Sequence, residues 1–422
     1  MPDEPTIRLG AIATFEMGQS PPSSVVVDGY RGVPFLQGCA EFGQQYARPH
    51  CSCLRPPKVC KKGDVLISVR APVGTINKAD REYCIGRGLA AVRLPEDYPE
   101  NYGWHLLGYW APGLRRVSQG TTFEAVGRND LENLEIVDIR PEDRAGLVAV
   151  LDTADEAIAK TEALIAKLKS IKQGLLHDLL TRGLDDNGEL RDPEKHPEDF
   201  KNSELGKIPE SWKIHNLGEL AVLVTSGSRN WARYYSADPS TALFLRIGNL
   251  TRDHVNLKLD EKRYVNPPKG TEGHRTQAQA NDVLISITAD LGIIGVVPAG
   301  LGETYINQHI ALVRLNDKHC NQRWVAHYLT GHAAQQQFNR LNDIGAKAGL
   351  GLPAITRLLF AIPENRSEQE RISEVLDNLD RHISSEQVAL RKYADLKKGL
   401  MADLLTGRVR VPADKVLASA TG

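Results

Sequence analysis

The chain has no long hydrophobic run. No uncharged apolar stretch approaches the ~18–20 residues a membrane helix needs. The first ten residues, MPDEPTIRLG, lack the basic segment and apolar core of a secretory signal. A soluble, cytoplasmic protein is the expectation. Net charge is also scarce: 52 Lys and Arg stand against 53 Asp and Glu, which leaves no whole-chain positive excess to hold a polyanion. The balance is uneven along the chain. Residues 1–140 hold 16 acidic and 16 basic side chains, residues 184–214 hold 9 and 5, and residues 215–363 hold 11 and 15. Local patches of this kind suffice for a globally neutral protein to bind DNA. Cysteine is sparse, and five of the six, Cys39, Cys51, Cys53, Cys60 and Cys84, lie in the first half. The Cys-x-Cys at 51–53, beside His50, is tighter than the spacing of structural zinc sites. Free thiols in a reducing compartment are therefore expected, rather than a metal at Cys51, Cys53 and Cys60. There is no G-x-x-x-x-G-K-[ST] phosphate loop, which excludes a P-loop motor. His105, His309 and His327 are scattered, outside any Ser/His/Asp or Cys/His grouping, and read as surface or hydrogen-bonded residues.

What is present is a repeat. Residues 171–181, IKQGLLHDLLT, return as residues 396–406, LKKGLMADLLT, and the register holds without a gap back to Leu151-Asp152 against Leu376-Asp377, an offset of 225. That period is too long for a solenoid, whose repeats run to roughly 20–50 residues, and indicates duplication of a domain-sized unit. With 422 residues, 41% of them hydrophobic, there is ample length for two to four domains with proper cores.

Upstream of each repeated helix the same order of pieces recurs. Segments rich in β-formers, at 32–37, 64–69 and 89–94, are punctuated by Gly63, Pro72, Gly74, Gly86 and Gly88. A helix near 104–110, a Gly-containing loop at 118–122 and a strand near 134–139 follow. In the second half, Asp282 to Ser286 match Asp64 to Ser68, residues 310–315 match 89–94, Phe244-Leu245 answer Phe35-Leu36, and Leu217-Gly218 answer Leu9-Gly10. A helix near 324–329 and a Gly-rich loop at 345–349 take the equivalent places. Offsets drift from 208 to 225 through this part, so the copies differ by loop insertions. With Leu151 at position a, the first helix reads Leu151, Ala154, Ile158, Thr161, Ile165, Leu168, Lys172, Leu175 and Leu179 at a and d, with Val150, Ala157, Leu164 and Ile171 widening the stripe at g. The second reads Leu376, Leu379, Ile383, Glu386, Leu390, Tyr393, Lys397, Leu400 and Leu404. This is a coiled-coil seam. Helices of roughly 60 Å at 1.5 Å per residue need a partner, and each is the other's. Residues 184–213, acidic and broken by Pro193, Pro197 and Pro209, read as a linker over the surface.

Together these pieces resemble the specificity subunit of type I restriction–modification enzymes. The resemblance rests on Gly63-Asp-Val-Leu-Ile-Ser68, repeated with Asn281 for the glycine, and on a Gly-rich loop followed by a strand and Pro. It rests further on Ser367-Glu-Gln-Glu-Arg-Ile372 leading into Val-Leu-Asp, on the two helix endings, and on Ser203-Glu-Leu-Gly-Lys-Ile-Pro-Glu-Ser-Trp212 opening the second unit. It covers essentially the whole chain. The first helix departs from the pattern, entering through Pro141-Glu-Asp-Arg-Ala without the Glu-Gln of 368–369, a change read as bearing on a partner contact. The strand exits are also reduced, to Ile139-Arg-Pro and Ile362-Pro-Glu. The resemblance implies an α+β fold: two similar target-recognition domains separated by two long antiparallel coiled-coil helices with pseudo-two-fold symmetry. The expected divisions are 1–142 and 214–366 for the recognition domains, 143–183 and 367–408 for the helices, 184–213 for the linker and 409–422 for a tail. It implies a non-catalytic subunit that reads a bipartite DNA site on double-stranded DNA and scaffolds two methyltransferase subunits and restriction subunits. No cofactor is implied.

Base edges are read by Arg, Lys, Asn, Gln, Ser or Thr on exposed loops. The candidates are Gln37, Arg70, Arg87, Gln119, Thr121, Thr122, Arg128 and Asn129 in the first unit. In the second they are Arg229, Asn230, Arg246, Asn249, Asn307, Gln308 and Lys347. Two other readings stay open. Asn266-Pro267-Pro268 resembles the base-stacking motif of adenine methyltransferases, but Lys269 replaces the aromatic and no Gly-rich cofactor loop precedes it, so a Pro-rich turn is favoured. The other is a coiled-coil scaffold that does not touch DNA.

Overall fold

The structure, a computed structural model, describes residues 5–115, 125–268, 276–318, 320–343 and 349–412. The chain divides into two compact units, residues 1–163 with 388–422, and residues 164–387. Two long helices, Pro141–Thr181 and Arg366–Leu404, each give one stretch to each unit.

The first unit contains strands β1 (Thr6–Arg8), β2 (Thr14–Met17), β3 (Val26–Asp28), β4 (Val33–Leu36), β5 (Cys51–Cys53), β6 (Val59–Cys60), β7 (Val65–Ser68), β8 (Ile76–Lys78), β9 (Tyr83–Ile85), β10 (Leu89–Arg93) and β11 (Glu135–Val137). They form a sheet ordered β2-β10-β7-β8, a second ordered β3-β5-β4-β9-β6, and the pair β1-β11. The helix Tyr102–Trp110 covers the first sheet, and its core continues onto Leu147, Leu151, Leu404 and Leu405 of the long helices.

The second unit contains β12 (Phe200–Ser203), β13 (Gly206–Pro209), β14 (Trp212–Asn216), β15 (Ala221–Ser226), β16 (Tyr235–Ser236), β17 (Ala242–Leu245), β18 (Tyr264–Val265), β19 (Val283–Ser286), β20 (Ile294–Val296), β21 (Thr304–Ile306), β22 (Ile310–Leu315) and β23 (Leu359–Pro363). The order β15-β22-β19-β20 repeats that of the first sheet, β14-β23 repeats β1-β11, and the parallel pair β17-β21 repeats the parallel pair β4-β9. The helix Gln322–Thr330 sits where Tyr102–Trp110 does in the first unit, with Trp324 fully buried edge-on to Trp212 at 5.2 Å. Residues 184–213 carry the β12-β13 hairpin and bury Leu184, Phe200 and Ile208, because their few apolar side chains are spaced to pack on the unit.

The repeated Asp-Val-Leu-Ile-Ser is explained by its packing. The four residues after the aspartate are fully buried in both copies. The aspartate closes the preceding turn: Lys61 N–H donates to Asp64 Oδ2 and Gln279 N–H to Asp282 Oδ2, each at 2.7 Å. Its remaining acceptor capacity meets an arginine on the neighbouring strand, Arg93 at 2.6–2.7 Å and Arg314 at 2.8 Å, in a bidentate pair. The residue before it is left-handed in both copies, Gly63 at φ 91° and Asn281 at φ 69°. Asparagine tolerates that conformation best after glycine, which accounts for the exchange.

Within each unit the two helix stretches run antiparallel. In the first, Asp155 pairs with Lys397, and Leu147 and Leu151 share one core with Leu404, so numbers fall on one helix as they rise on the other. In the second, Lys172 pairs with Asp380 at 2.5 Å, and Leu184 N–H donates to Glu368 at 2.9 Å. The seam follows a and d. Leu151, Thr161, Ile165, Leu168, Leu179, Leu376, Ile383 and Leu404 are buried, whereas Leu164 and Ile171 at g, and Tyr393 at d, are about two-fifths exposed. A pair of helices offers each stripe a single partner, so the flanking positions face outward. Glu368 and Gln369 are buried and bonded within the unit itself. Glu368 accepts from Arg191 and Trp212, while Gln369 accepts from Asn321 N–H and donates to Pro363 O, each at 2.8 Å. In the first unit, Asp143 holds the equivalent place and takes Arg410.

Candidate nucleic-acid interface

In each unit three strand ends converge on one turn. In the first, the turn runs from β9 to β10 through Gly86-Arg87-Gly88. Gly86 N–H donates to Leu36 O (2.8 Å), Leu89 N–H to Gly86 O (2.9 Å), Gly18 N–H to Leu89 O (2.9 Å) and Val69 N–H to Gly88 O (2.9 Å). In the second, it runs from β21 to β22 through Asn307-Gln308-His309. Asn307 N–H donates to Leu245 O (3.1 Å), Ile310 N–H to Asn307 O (3.2 Å), Gly227 N–H to Ile310 O (3.2 Å) and Ile287 N–H to His309 O (3.0 Å). The four bonds correspond one for one. So does the close approach beneath them: a Cβ on Gly18 would stand 2.1 Å from Gly86 O, and one on Gly227 would stand 2.1 Å from the Asn307 carbonyl. Only glycine lets the backbone pass there.

This arrangement gathers part of the expected set. Gln37, Arg70 and Arg87 are exposed at the ends of β4 and β7 and at the apex of the turn. In the second unit Arg246 holds the station of Gln37 and Gln308 that of Arg87, with Asn307 beside it, while Arg229, next to exposed Asn230, stands at the place of Ser20. Asn307 is buried, and its Oδ1 accepts from His309 N–H. Asn249 is also buried, accepting from Arg246 N–H and donating to Lys258 O, both at 2.8 Å. Arg128 and Asn129 lie apart on the short helix Arg128–Glu132, where Arg128 pairs with Glu132 at 2.7 Å. Gln119, Thr121, Thr122, Lys347 and Lys269, with the loop segments 118–122 and 345–348, lie outside the described residues.

Sequence reasoning missed the residues that brace the turns. Ser20 Oγ accepts from Gln37 Nε2 (3.0 Å) and Arg87 N–H (3.3 Å). In the second unit, Gln308 Nε2 lies 3.0 Å from His309 Nε2, and His309 Nδ1 lies 2.7 Å from Thr288 Oγ1. Carrying the match of Phe35 to Phe244 back along the chain brings Gly18 onto Gly227 and leads to these neighbours.

Asn266 caps a turn after β18, its N–H donating to Tyr234 O at 2.8 Å. It lines a cavity of ≈ 930 Å³ with Thr241, Lys262, Tyr264 and Gln277.

A second repeated feature had no sequence signal beyond scattered letters. His105 Nε2 meets Asp152 Oδ1 at 2.7 Å, with Asp155 beside it; His327 Nε2 meets Asp377 Oδ1 at 2.7 Å, with Asp380 beside it. Both histidines are almost fully buried. Ligand-capable atoms of each trio lie within 4.8 Å of one another, yet the site is not built for a cation. Lys397 and Lys78 balance the charges of the first trio, Lys172 and Arg323 those of the second. A divalent ion would add uncompensated positive charge in a buried place. Burial pushes the His105 imidazole below its ordinary pKa against the opposing pull of Asp152 and Asp155. The neutral ring, donating from Nε2 to Asp152, is therefore its state at pH 7. The cysteines are all free, and burial pushes the Cys60 thiol up to about 12, far from the thiolate a metal requires. Among the described residues, no ligand-capable trio includes a cysteine.

Residues 209–392 match the family model described as the type I restriction modification DNA specificity domain. A putative type I restriction enzyme MjaX specificity subunit from Methanocaldococcus jannaschii is 36% identical over 182 residues, 42% of this chain and 43% of that protein. The MjaVIII specificity subunit of the same organism is 20% identical over 306 residues, 71% of this chain and 67% of that protein. The first alignment thus spans less than half the relative's length. Among solved structures, the S subunit of a type I restriction-modification system from M. genitalium superposes with a TM-score of 0.63 at 12% identity, covering 95% of this chain and 96% of that one. A chain from a study of complex assembly and conformational transition of the type I R-M system gives 0.52 at 16% identity, covering 96% and 98%. These two likenesses speak to the fold.

Proposed function

We propose that the chain is a type I restriction–modification specificity subunit, the non-catalytic subunit that recognises the DNA target. Each unit reads one half of a bipartite site on double-stranded DNA. The paired helices scaffold two methyltransferase subunits and, where present, restriction subunits, in the cytoplasm. The observation that carries this reading is the repeated turn: identical backbone bonding in both units, with Gly-Arg-Gly in one and Asn-Gln-His in the other. A shared frame with different polar side chains suits two half-sites of different sequence, since base edges are told apart by donor and acceptor pattern. The target is therefore asymmetric.

The test is to map methyladenine across the genome of cells carrying this chain with its methyltransferase subunits. The expected result is one asymmetric motif of two specified parts around an unspecified spacer. A palindromic motif would refute the asymmetry, and absence of any motif dependent on the chain would refute recognition. S-adenosylmethionine binding by the purified chain alone would instead support a self-contained methyltransferase around Asn266-Pro267.

A further inference from the structure

The two turns allow a finer assignment, which rests on the DNA-recognition reading. We propose that the apex residue of each turn is a base-reading residue, with Arg87 contacting a guanine in one half-site and Gln308 an adenine in the other.

Position comes first. Both residues occupy the middle of a turn whose backbone groups are bonded to three neighbouring strand ends, so the apex is held while its side chain projects. Arg87 stands between Gly86 and Gly88, whose added Cβ atoms would meet Gln37 O at 2.9 Å. The knuckle is packed on its inner side, and the arginine stands clear on its outer side. Its N–H is tied to Ser20 Oγ, and its side chain is exposed. Among the described residues its guanidinium has no hydrogen-bond or ion-pair partner. A guanidinium held by its backbone and free at its fork matches the paired O6 and N7 acceptors of guanine.

Gln308 is set up differently. One of its two amide hydrogens goes to His309 Nε2, and Thr288 Oγ1 sits against the other ring nitrogen at 2.7 Å. His309 in its Nδ1–H tautomer donates to Thr288 and accepts from Gln308. In this arrangement the amide nitrogen faces His309. That leaves Gln308 Oε1 and the second N–H unused, and these are the acceptor and donor that adenine N6 and N7 require.

The experiment is a selection of the full chain, alone and co-assembled with methyltransferase subunits, on randomised duplex DNA at fixed salt. It compares wild type with Arg87→Ala, Arg87→Gln, Gln308→Ala and Gln308→Arg, all checked for fold by circular dichroism. Arg87→Ala should lose about ten- to a hundredfold of its preference for guanine at one position of one half-site, with the other half-site unchanged. Arg87→Gln should move that position towards adenine, and Gln308→Arg should move one position of the opposite half towards guanine. The assignment is overturned if Arg87→Ala weakens all sequences equally with a shallower salt dependence, the mark of a phosphate contact, or if motifs are unchanged. A wild-type chain that enriches no motif in either format overturns the recognition reading as well, and so is told apart from failure of the assignment alone.

Discussion

At the scale of residues, the aspartate–arginine clamps and the buried histidines make separable predictions. Asp282→Ala strands Arg314 and the Gln279 amide. Removing one member of a buried pair costs ~3–5 kcal/mol, but Arg314 is a quarter exposed and regains water. A loss of about 2–3 kcal/mol is therefore expected. Hydrogen exchange should report it at the Gln279 amide and along β19 and β22, with the first unit unaffected; unchanged protection there would refute the clamp. His105 supplies a pH dependence of known sign. Its folded pKa lies below the unfolded value near 6.5, so the unfolded chain binds the proton more readily. Stability is then full above about pH 6.5 and falls as the pH drops below it. Melting of wild type between pH 7.5 and 5 should show the decline, and His105→Gln should flatten it. An equal slope in both would remove His105 from the account.

At the scale of elements, the seam predicts a contrast. Leu376→Ala, at a fully buried a position, should cost ~2–5 kcal/mol. Ile171→Ala, at a position 41% exposed, should cost under ~1 kcal/mol. Chemical denaturation followed by helical signal measures both, and equal losses would mean that the g stripe is packed after all. Helices and central strands were legible in the sequence because their periodicity is local: the Val-Leu-Ile runs and the heptads each need only their own residues to show. The surroundings of the two turns were legible in part. Gln37, Arg70, Arg87 and Gln308 follow from residue type beside glycine or a strand end. Ser20, Thr288 and His309 do not, because their role is set by strands distant in sequence that meet only in the fold. The His105–Asp152 joint was hidden for the same reason. So was the fate of Glu368, which looks like a surface helix start until Trp212 and Arg191 close over it.

For the whole molecule, the proposal separates readout from spacing. Replacing residues 1–140 with those of another family member should change one half of the methylated motif only. Both long helices are continuous across the points where one unit gives way to the other, near residues 163 and 387. Adding four residues at each point lengthens each helix by ~6 Å, and the resulting stutter is absorbed by local unwinding. At ~3.4 Å per base pair the unspecified spacer should grow by one or two base pairs, read directly from the methylation motif. An unchanged spacer with full activity would show that the helices do not set the distance.

The bonding of the two turns bears on how such a protein changes over generations. The bonds that tie the turn to its three neighbouring strand ends run main chain to main chain, and the position closed to a side chain in both units, Gly18 and Gly227, lies beneath the tip. If the tips read bases as proposed, a substitution there alters what is recognised at little expense to folding, since exposed replacements usually shift stability by under ~0.5 kcal/mol. New specificities are within reach of single mutations that leave the framework untouched. On the proposed reading, two such tips on one chain let lineages explore half-sites independently, so that the variety of targets multiplies while the scaffold stays constant.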